Sequence, residues 1–320
     1  MHKVSVIIPN YNHENFLQQR IDSILLQTYQ NFELIILDDC STDNSKSIIE
    51  QYRDHPKVSN IVYNTTNSGN TFKQWKLGLK LAKGSYIWFA ESDDYADHSF
   101  LEKMVPELEK NPQVDLVFCN SYIIDATGSI KSNTNNWASA YEATQGPDKT
   151  TIFNGLEFCL KHMFYLCRIP NASAVLFRKE PVTNNPDWID VSLRNAGDWK
   201  LWLNIALTSD ILWLNQDLNY FRIHGANVTS SLTLLNKEAH IILKELIQKN
   251  NTYYRIYESL AAWSFKQASW TKGYSINITT IKRYFENNLS LKSGVYLLVY
   301  LNKQLLIAMK KKCRASNSTT

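Results

Sequence analysis

The chain has 320 residues, of which 44% are hydrophobic and 20% are charged. This composition is ordinary for a folded protein and excludes disordered, collagen-like and disulfide-scaffold chains. At about 100 to 200 residues per domain, the length allows one large α/β unit with an appendage or two smaller domains. The formal net charge of +4 is too small to indicate a nucleic-acid partner, for which clustered basic charge is typical.

Strand and helix patterns alternate along the first third of the chain. Nearly continuous apolar runs at residues 4–9, 33–37 and 86–90 are typical of buried parallel strands. Apolar residues recur at helical spacing in the intervening residues 16–25 and 72–83. This β-α-β-α order predicts a parallel sheet covered by helices.

The middle of the chain departs from this alternation. A helix is predicted over residues 99–110 and a strand over residues 115–119. Residues 129–151, rich in Ser, Asn, Thr and Ala, indicate a mobile loop near the strand ends. From about residue 232 only helix patterns occur, so we expect a domain boundary near residue 231.

The last apolar stretch bears on localisation. Residues 294–309 are too short and too polar to span a membrane, and a basic tail follows them. They form either a helix lying on an anionic membrane surface or a last helix packed on the domain, and the pattern leaves both open. The apolar run at residues 4–9 is much shorter than a secretory signal, and the five cysteines show no CxxC spacing. We therefore expect a cytoplasmic protein, with peripheral binding to the inner membrane as one alternative.

Polar clusters follow three of the predicted strands. Residues 10–12 follow the first strand, Asp38 and Asp39 end the second, and residues 91–94 follow the strand at 86–90. In open α/β sheets, ligands bind beyond the carboxyl ends of the strands. We therefore expect these clusters to line one crevice.

The acidic turn, residues 91–94, is the sharpest local signal. Carboxylates of Glu91, Asp93 and Asp94 crowded at a strand end suit Mg²⁺ or Mn²⁺ bridging to a diphosphate. The alternative is a solvated turn in which Asp93 or Asp97 caps the next helix.

The pair Asp38 and Asp39 points to a nucleoside. A carboxylate there can accept hydrogen bonds from a base edge, and Tyr11 can stack on the base. The alternative is a helix cap beside a solvated carboxylate. Together with the acidic turn, these residues describe a pocket for a nucleoside diphosphate.

Residues 4–45 and 67–95 resemble the nucleotide-binding half of family 2 glycosyltransferases, whose fold is called GT-A. The resemblance recurs at residues 197–202 and 220–227. It implies an α/β fold with a mostly parallel nucleotide-binding sheet flanked by helices, followed by a C-terminal helical extension. The implied domains are a GT-A domain at 1–231, with a nucleotide-binding half at about 1–112 and an acceptor half at about 113–231, and a helical region at 232–320.

The resemblance also implies roles at matching positions. Asp198 matches the second member of the family's Glu-Asp pair, the base that deprotonates the acceptor hydroxyl, and Gly197 stands where the pair has Glu. Asp93 and Asp94 match the metal-binding end of an Asp-x-Asp-Asp motif whose first acid is Glu91 here. The nucleotide site is expected to include Pro9, Tyr11, Asp38, Asp39, Asn67, Asp93, Arg222 and His224.

The implied activity is that of an inverting glycosyltransferase that depends on Mn²⁺ or Mg²⁺. It would move one sugar from a nucleotide diphosphate sugar, UDP-linked, to a saccharide or lipid-linked acceptor in cell-surface polysaccharide synthesis. A processive synthase is not expected, because the chain has no Gln-x-x-Arg-Trp segment.

Two alternatives from other classes stay open. A sugar-1-phosphate nucleotidyltransferase needs a Gly-rich phosphate loop after its first strand, but residues 10–19 contain no glycine. A non-catalytic module that binds a nucleotide sugar is the other. The departures at Glu91 and Gly197 allow it, whereas the retention of Asp39, Asp93, Asp94 and Asp198 speaks against it.

Overall fold

The structure is a computed structural model that describes residues 3–134, 150–163, 167–169, 171–225, 237–239, 241–242 and 245, without the side chains of 160 and 161. One compact unit comprises Met1–Met163 and Cys167–Ala239. A second unit comprises Phe164–Leu166 and His240–Thr320, of which three residues are described. The predicted boundary near residue 231 stays a prediction.

Strands and helices alternate in the first part of the chain, as predicted. Their bounds are β1 Val4–Asn10, α1 Glu14–Leu25, β2 Phe32–Asp38, α2 Ser45–Glu50, β3 Val58–Tyr63, α3 Thr71–Leu81, β4 Tyr86–Phe89, β5 Tyr95–Ala96 and α4 Phe100–Lys110. Every residue of β1, β2 and β4 is buried. Such continuous burial is typical of inner parallel strands covered on both faces.

The second part of the chain adds further strands. Its elements are β6 Val114–Ile124, β7 Ile130–Asn133, β8 Thr150–Phe153, α5 Gly155–Phe158, a π-helix Cys159–Met163, a 3₁₀ turn Ala172–Ala174, β9 Val175–Arg178, α6 Lys179–Asn184, a 3₁₀ turn Pro186–Trp188, α7 Gly197–Ala206 and β10 Asp210–Arg222. Both ends of the predicted loop at 129–151 are therefore strands, and residues 135–149 lie outside the described residues. Strand β10 was not predicted, because a bulge between Leu214 and Asn219 interrupts its apolar run.

The ten strands described form one mixed sheet in the order β3-β2-β1-β4-β9-β6-β10-β5, with β7 on β6 and β8 on β10. The neighbours within β3-β2-β1-β4 are parallel, whereas β9 pairs antiparallel with both β4 and β6. The predicted α/β class is confirmed. The parallel order holds for the nucleotide-binding half, and the antiparallel pairs belong mainly to the second half.

Helices cover both faces of the sheet. Alternate residues of β1, such as Val6 and Ile8, pack in a core with α1 and α4. Ile7 points to the other face, where α3 lies so close that a Cβ on Gly78 would be 2.4 Å from Ile7 Cγ2. A glycine is required at this contact because any side chain would push α3 away from the sheet.

No helix in the described part of the chain combines the length and apolarity needed to span a membrane. The predicted C-terminal helices lie outside the described residues, apart from positions 237–239, 241–242 and 245. The membrane-surface hypothesis for residues 294–309 therefore stays a prediction.

Candidate functional site

The carboxyl ends of β1, β2 and β4 lie side by side, because β1 pairs in parallel with both other strands. A hydrogen bond joins two of these ends directly, from Asn10 Nδ2 to Asp38 Oδ1 at 2.8 Å. The Ser41 hydroxyl also donates to Asp38 Oδ1, at 2.6 Å. The three polar clusters predicted from the sequence therefore border one edge of the sheet.

The loops after β1 and β2 contain backbone strain. Asn12 and Cys40 have φ angles of 54° and 65°. This left-handed region is uncommon for residues other than glycine, and strained residues of this kind concentrate at functional sites. Two hydrogen bonds hold the loops in this conformation. One joins Asn10 and Asp38, and in the other Thr42 N donates to Asn12 Oδ1 at 2.8 Å.

Asp39 is the centre of a buried hydrogen-bond network. Its carboxylate accepts bonds from Asn64 Nδ2 at 2.6 Å, Gln74 Nε2 at 2.8 Å and the Ser68 hydroxyl at 2.7 Å, and it is 4% exposed. These bonds tie the loop before α3 to the end of β2. The predicted contact with a base edge stays a prediction, and a base would have to share this carboxylate with Ser68.

Three other predicted nucleotide-site residues differ in exposure. Pro9 is buried in β1, whereas Tyr11 is 41% exposed beyond the strand end. Asn67 is exposed and accepts a hydrogen bond from Gly69 N. Tyr11 is therefore available for stacking, and Pro9 shapes the strand end from within.

Asp93 and Asp94 face different partners. Asp93 Oδ2 lies 3.0 Å from His224 Nε2. Asp94 is 2% exposed and accepts hydrogen bonds from Asn171 Nδ2 at 2.8 Å and from the Arg222 backbone N–H at 2.9 Å. Burial and the neighbouring Asp93 raise the pKa of Asp94 to about 7.

Glu91 contacts an indole. Its Oε1 accepts a hydrogen bond from Trp75 Nε1 at 2.9 Å, and Trp75 in turn stacks on Phe89 with ring centroids 4.2 Å apart. Burial and Asp93 raise the pKa of Glu91 to about 8. The additional methylene relative to aspartate is thus used to reach α3.

His13, Asp93 and His224 form the one group of three potential metal-ligating side chains found within the described residues. One ligand atom from each lies within 4.8 Å of the others. Although burial alone opposes ionisation, the hydrogen bond from His224 keeps the pKa of Asp93 below its usual value. Burial lowers the pKa of His13, which favours the neutral imidazole that a metal requires. Carboxylate oxygen suits Mn²⁺ and imidazole nitrogen suits transition-metal ions, so the donor set fits a divalent ion.

The helix-cap alternative for the acidic turn does not apply to Asp93. Asp97 Oδ1 accepts hydrogen bonds from Ser99 N at 2.8 Å and from the Ser99 hydroxyl at 2.6 Å, just before α4 begins. Asp97 therefore stabilises the start of α4. Asp93 instead contacts His224.

Arg222 is buried beside the acidic turn and holds its backbone. It is 2% exposed, and its Nε donates to the Asp93 carbonyl at 2.7 Å. Its Nη2 donates to Gln19 Oε1 at 2.7 Å, and the guanidinium lies 4.7 Å from the Phe16 ring centroid. These contacts hold the acidic turn in place, and the predicted phosphate contacts of Arg222 and His224 stay predictions.

Arg20 is a buried cation that the sequence analysis missed. It is fully buried, its three guanidinium nitrogens find no hydrogen-bond partner among the described residues, and it lies 4.9 Å from the Trp88 ring. Burial lowers its pKa to about 10, so it remains charged and attracts Asp94 and Glu91. The signal in the sequence is a charged residue on the apolar face of α1, three positions after Leu17.

Asp198 occupies the first turn of α7. Its Oδ1 accepts a hydrogen bond from Trp199 N at 2.7 Å, as expected of an acid at a helix start. The side chain is partly exposed, and burial raises its pKa to about 6. This carboxylate is thus ionised at neutral pH and is more basic than an ordinary aspartate.

The structure explains the glycine that precedes Asp198. A Cβ at Gly197 would lie 2.5 Å from Cε2 of the Phe72 ring. Phe72 is buried on α3, next to Trp75 at a centroid distance of 5.0 Å. Phe72 therefore takes the space that a glutamate at position 197 would need.

This contact predicts the effect of a small substitution. We expect Gly197→Ala to lower the Tm by several degrees, since overpacking costs about 1–3 kcal/mol. Phe72→Leu in the same chain should restore part of the loss by making room. Thermal unfolding checks this, with Gly225→Ala as the control because nothing lies within 4 Å of a Cβ there. Equal Tm values for Gly197→Ala and the control would contradict the contact.

Glu238 holds the segment before α7. Its carboxylate accepts hydrogen bonds from the backbone N–H groups of Arg194, Asn195 and Ala196 at 2.8, 2.8 and 2.7 Å. Glu238 belongs to the first compact unit. A lone glutamate in a helix pattern gives no signal for this contact.

Helix α3 connects the acidic turn to Asp198. Trp75 donates to Glu91 and packs against Trp202 of α7, with ring centroids 6.2 Å apart. One turn earlier, Phe72 packs against Gly197. The acidic turn and the helix that carries Asp198 therefore both contact α3.

The chain matches the model of glycosyl transferase family 2 over residues 5–168. It belongs to that family. An uncharacterized glycosyltransferase of Rickettsia prowazekii is 30% identical over 235 residues, which is 73% of this chain and 67% of the relative. One from Haemophilus influenzae is 29% identical over 255 residues, which is 78% of this chain and 74% of the relative.

Solved structures agree with the family assignment. Staphylococcus aureus TarS 1–349 in complex with UDP-GlcNAc has a TM-score of 0.66 and 20% identity, covering 92% of this chain and 78% of that TarS fragment. The mannosyltransferase PcManGT from Pyrobaculum calidifontis, in complex with GDP-Man and Mn²⁺, has a TM-score of 0.58 and 15% identity, covering 95% of this chain and 87% of PcManGT. At these identities the likeness shows the fold, and the expected GT-A fold is confirmed. The family 2 glycosyltransferase assignment also excludes the nucleotidyltransferase alternative.

Proposed function

We propose that the chain transfers one sugar from a UDP-linked donor to a hydroxyl of a saccharide or lipid-linked acceptor, with inversion at the anomeric carbon. One observation carries the proposal. In a family 2 glycosyltransferase, helix α3 contacts both the acidic turn that contains Asp93 and the helix α7 whose first turn carries Asp198, a partly exposed carboxylate with a raised pKa. A base and a site for a divalent ion are the two parts that this reaction needs.

The donor nucleotide is assigned to the ends of β1 and β2. Tyr11 is exposed and takes the base by stacking, while Asp38 and Asp39 order the loops around it. Asn67 lies in the loop that Asp39 holds through Ser68. The complex of TarS with UDP-GlcNAc supports a uridine nucleotide, although PcManGT was solved with a guanosine nucleotide.

The diphosphate is assigned to Asp93 and His224. Bound there, Mn²⁺ or Mg²⁺ supplies positive charge for the departing diphosphate. The 3.0 Å contact between His224 Nε2 and Asp93 Oδ2 holds the two side chains next to each other. Asp94 and Glu91, also predicted as metal ligands, are engaged by Asn171 and Trp75, so from the acidic turn the proposal retains Asp93.

Asp198 is assigned the proton transfer. The acceptor oxygen attacks the anomeric carbon, the bond from that carbon to the phosphate oxygen breaks, and the hydroxyl proton moves to the Asp198 carboxylate. The partial burial of Asp198 makes it a stronger base and still leaves it accessible to an acceptor. A single displacement from the face opposite the diphosphate inverts the anomeric centre.

We place this reaction in cell-surface polysaccharide synthesis at the cytoplasmic face of the inner membrane. The support is the basic segment that follows residues 294–309, which is suited to anionic headgroups. A saccharide carried on a lipid would then reach the enzyme at the membrane surface.

The pH dependence of turnover tests the assigned base. With UDP-GlcNAc as the donor, water as the acceptor and saturating Mn²⁺, we expect kcat/KM to fall about tenfold per pH unit below pH 6, because protonated Asp198 cannot accept a proton. The residual activity of Asp198→Asn should lack this acid limb, whereas Asp187→Asn, an exposed control, should keep it. An acid limb that persists unchanged in Asp198→Asn would contradict the assignment.

A further inference from the structure

We infer that His13 is a third protein ligand of the divalent ion and that the resulting His-Asp-His site selects Mn²⁺ over Mg²⁺. The inference rests on the proposed ion at Asp93. It adds a residue from the start of α1, which neither the acidic turn nor the segment around His224 supplies. The observation behind it is that ligand atoms of His13, Asp93 and His224 all lie within 4.8 Å of one another.

The His13 side chain is not used to start α1. His13 occupies the cap position of the helix, but its side chain makes no capping hydrogen bond. Asp43 Oδ2 accepts from Glu14 N at 2.8 Å in its place. Because it makes no capping hydrogen bond, the imidazole can point toward the acidic turn.

A second hydrogen bond orients the imidazole ring. His13 Nδ1 lies 2.7 Å from the hydroxyl of Ser92, which is itself 1% exposed within the acidic turn. When Nδ1 donates this bond, Nε2 carries the lone pair that binds a metal. Metal-bound histidines commonly use their other nitrogen in this way, which fixes the tautomer.

The remaining pair already has the spacing of metal ligands. Two neighbouring ligands of an octahedral ion at about 2.1 Å lie about 3.0 Å apart. The contact between His224 Nε2 and Asp93 Oδ2 is 3.0 Å. The His13 ring is perpendicular to that of His224, at 89°, with ring centroids 5.6 Å apart.

The chemistry of this donor set sets the metal preference. Mg²⁺ prefers oxygen ligands and gives up its water reluctantly, whereas imidazole nitrogen suits transition-metal ions. Two imidazoles beside one carboxylate should therefore hold Mn²⁺ even without a nucleotide. Mg²⁺ would depend on the diphosphate for most of its ligands.

Electron paramagnetic resonance of Mn²⁺ bound to the full chain, without nucleotide, tests the inference directly. We expect His13→Phe, which keeps a ring beside Phe16 but no nitrogen, to weaken Mn²⁺ binding at least about tenfold. Nitrogen couplings measured by electron spin echo should indicate two histidines in the wild type and one in the variant. Mg²⁺ in large excess should displace little Mn²⁺ from the wild type.

Matched variants separate the possible outcomes. His98→Phe, at an exposed histidine outside the group, should bind Mn²⁺ like the wild type, and His13→Gln gives a second test should His13→Phe fail to fold. Unchanged Mn²⁺ affinity and two nitrogen couplings in the His13 variants, with binding lost in Asp93→Asn, would overturn the role of His13 alone. Unchanged binding in Asp93→Asn as well would overturn the proposed metal site itself.

Discussion

Replacing Asp198 by asparagine is expected to lower the rate of sugar transfer about 10²–10⁴-fold and to leave the affinity for UDP unchanged. The amide cannot accept the acceptor proton, but it fills the same space at the start of α7. The proton acts in the transition state and not in donor binding, so kcat should fall while the KM for the donor stays constant. Steady-state kinetics with UDP-GlcNAc and a calorimetric UDP titration measure the two effects separately.

The same substitution should stabilise the fold. The folded pKa of Asp198 is about 6, above the ordinary value of 3.8, so between these pH values the folded chain holds a proton that the unfolded chain has lost. Rising pH therefore destabilises the wild type relative to Asp198→Asn across this window, and the difference is constant above pH 6. Asp187→Asn, in the exposed turn before α7, serves as the control. Full activity in Asp198→Asn, or a lower Tm at pH 7, would contradict this assignment.

Asp93→Asn is expected to lower turnover roughly 10³-fold at saturating donor, because the ion is worth several kcal/mol to the departing diphosphate. The amide loses the negative charge that holds the ion beside His224. Added Mn²⁺ should stimulate the wild type far more than the variant. Turnover measured over a range of Mn²⁺ concentrations checks this.

Two comparisons make the Asp93 result specific. Asp54→Asn, at an exposed position after α2, should behave as the wild type in both turnover and Mn²⁺ dependence. Asp94→Asn tests the inner carboxylate, and we expect it to act through the hydrogen bonds from Asn171 and Arg222. Wild-type turnover of Asp93→Asn at the same Mn²⁺ concentration would contradict the assignment of the ion to Asp93.

The parallel half of the fold was predictable because its signals are local. Each buried strand is a nearly continuous apolar run, as in residues 34–37, and a polar cluster marks where it ends. The parallel neighbours of β1 then bring those clusters together without further information. The position of the site at this sheet edge therefore followed from the sequence.

The partners of individual side chains were not predictable in this way. Asp94 and Arg222 are 128 positions apart, and only the folded chain shows that they bond to each other. The contact of Glu238 with Arg194, before α7, spans 44 positions. Motif positions indicate which residues are near a site, but tertiary packing decides which carboxylate faces a ligand and which is held by the protein.

Gly197 is a second case in which the sequence alone does not show the packing partner. In the sequence it is a departure from the family's Glu-Asp pair and raises the hypothesis of a module that has lost its chemistry. In the structure it is the consequence of Phe72, whose ring lies where a side chain at position 197 would begin. The departure is thus explained by packing, and Asp198 keeps its place at the start of α7.

Calorimetric titration of UDP, GDP, dTDP and CMP into the wild-type chain, with and without Mn²⁺, tests the central claim most directly. We predict that UDP binds more tightly than the other nucleotides and that its binding requires Mn²⁺. A chain that binds none of the four in Mn²⁺, or that binds UDP equally well without any divalent ion, would contradict a metal-dependent UDP-sugar transferase.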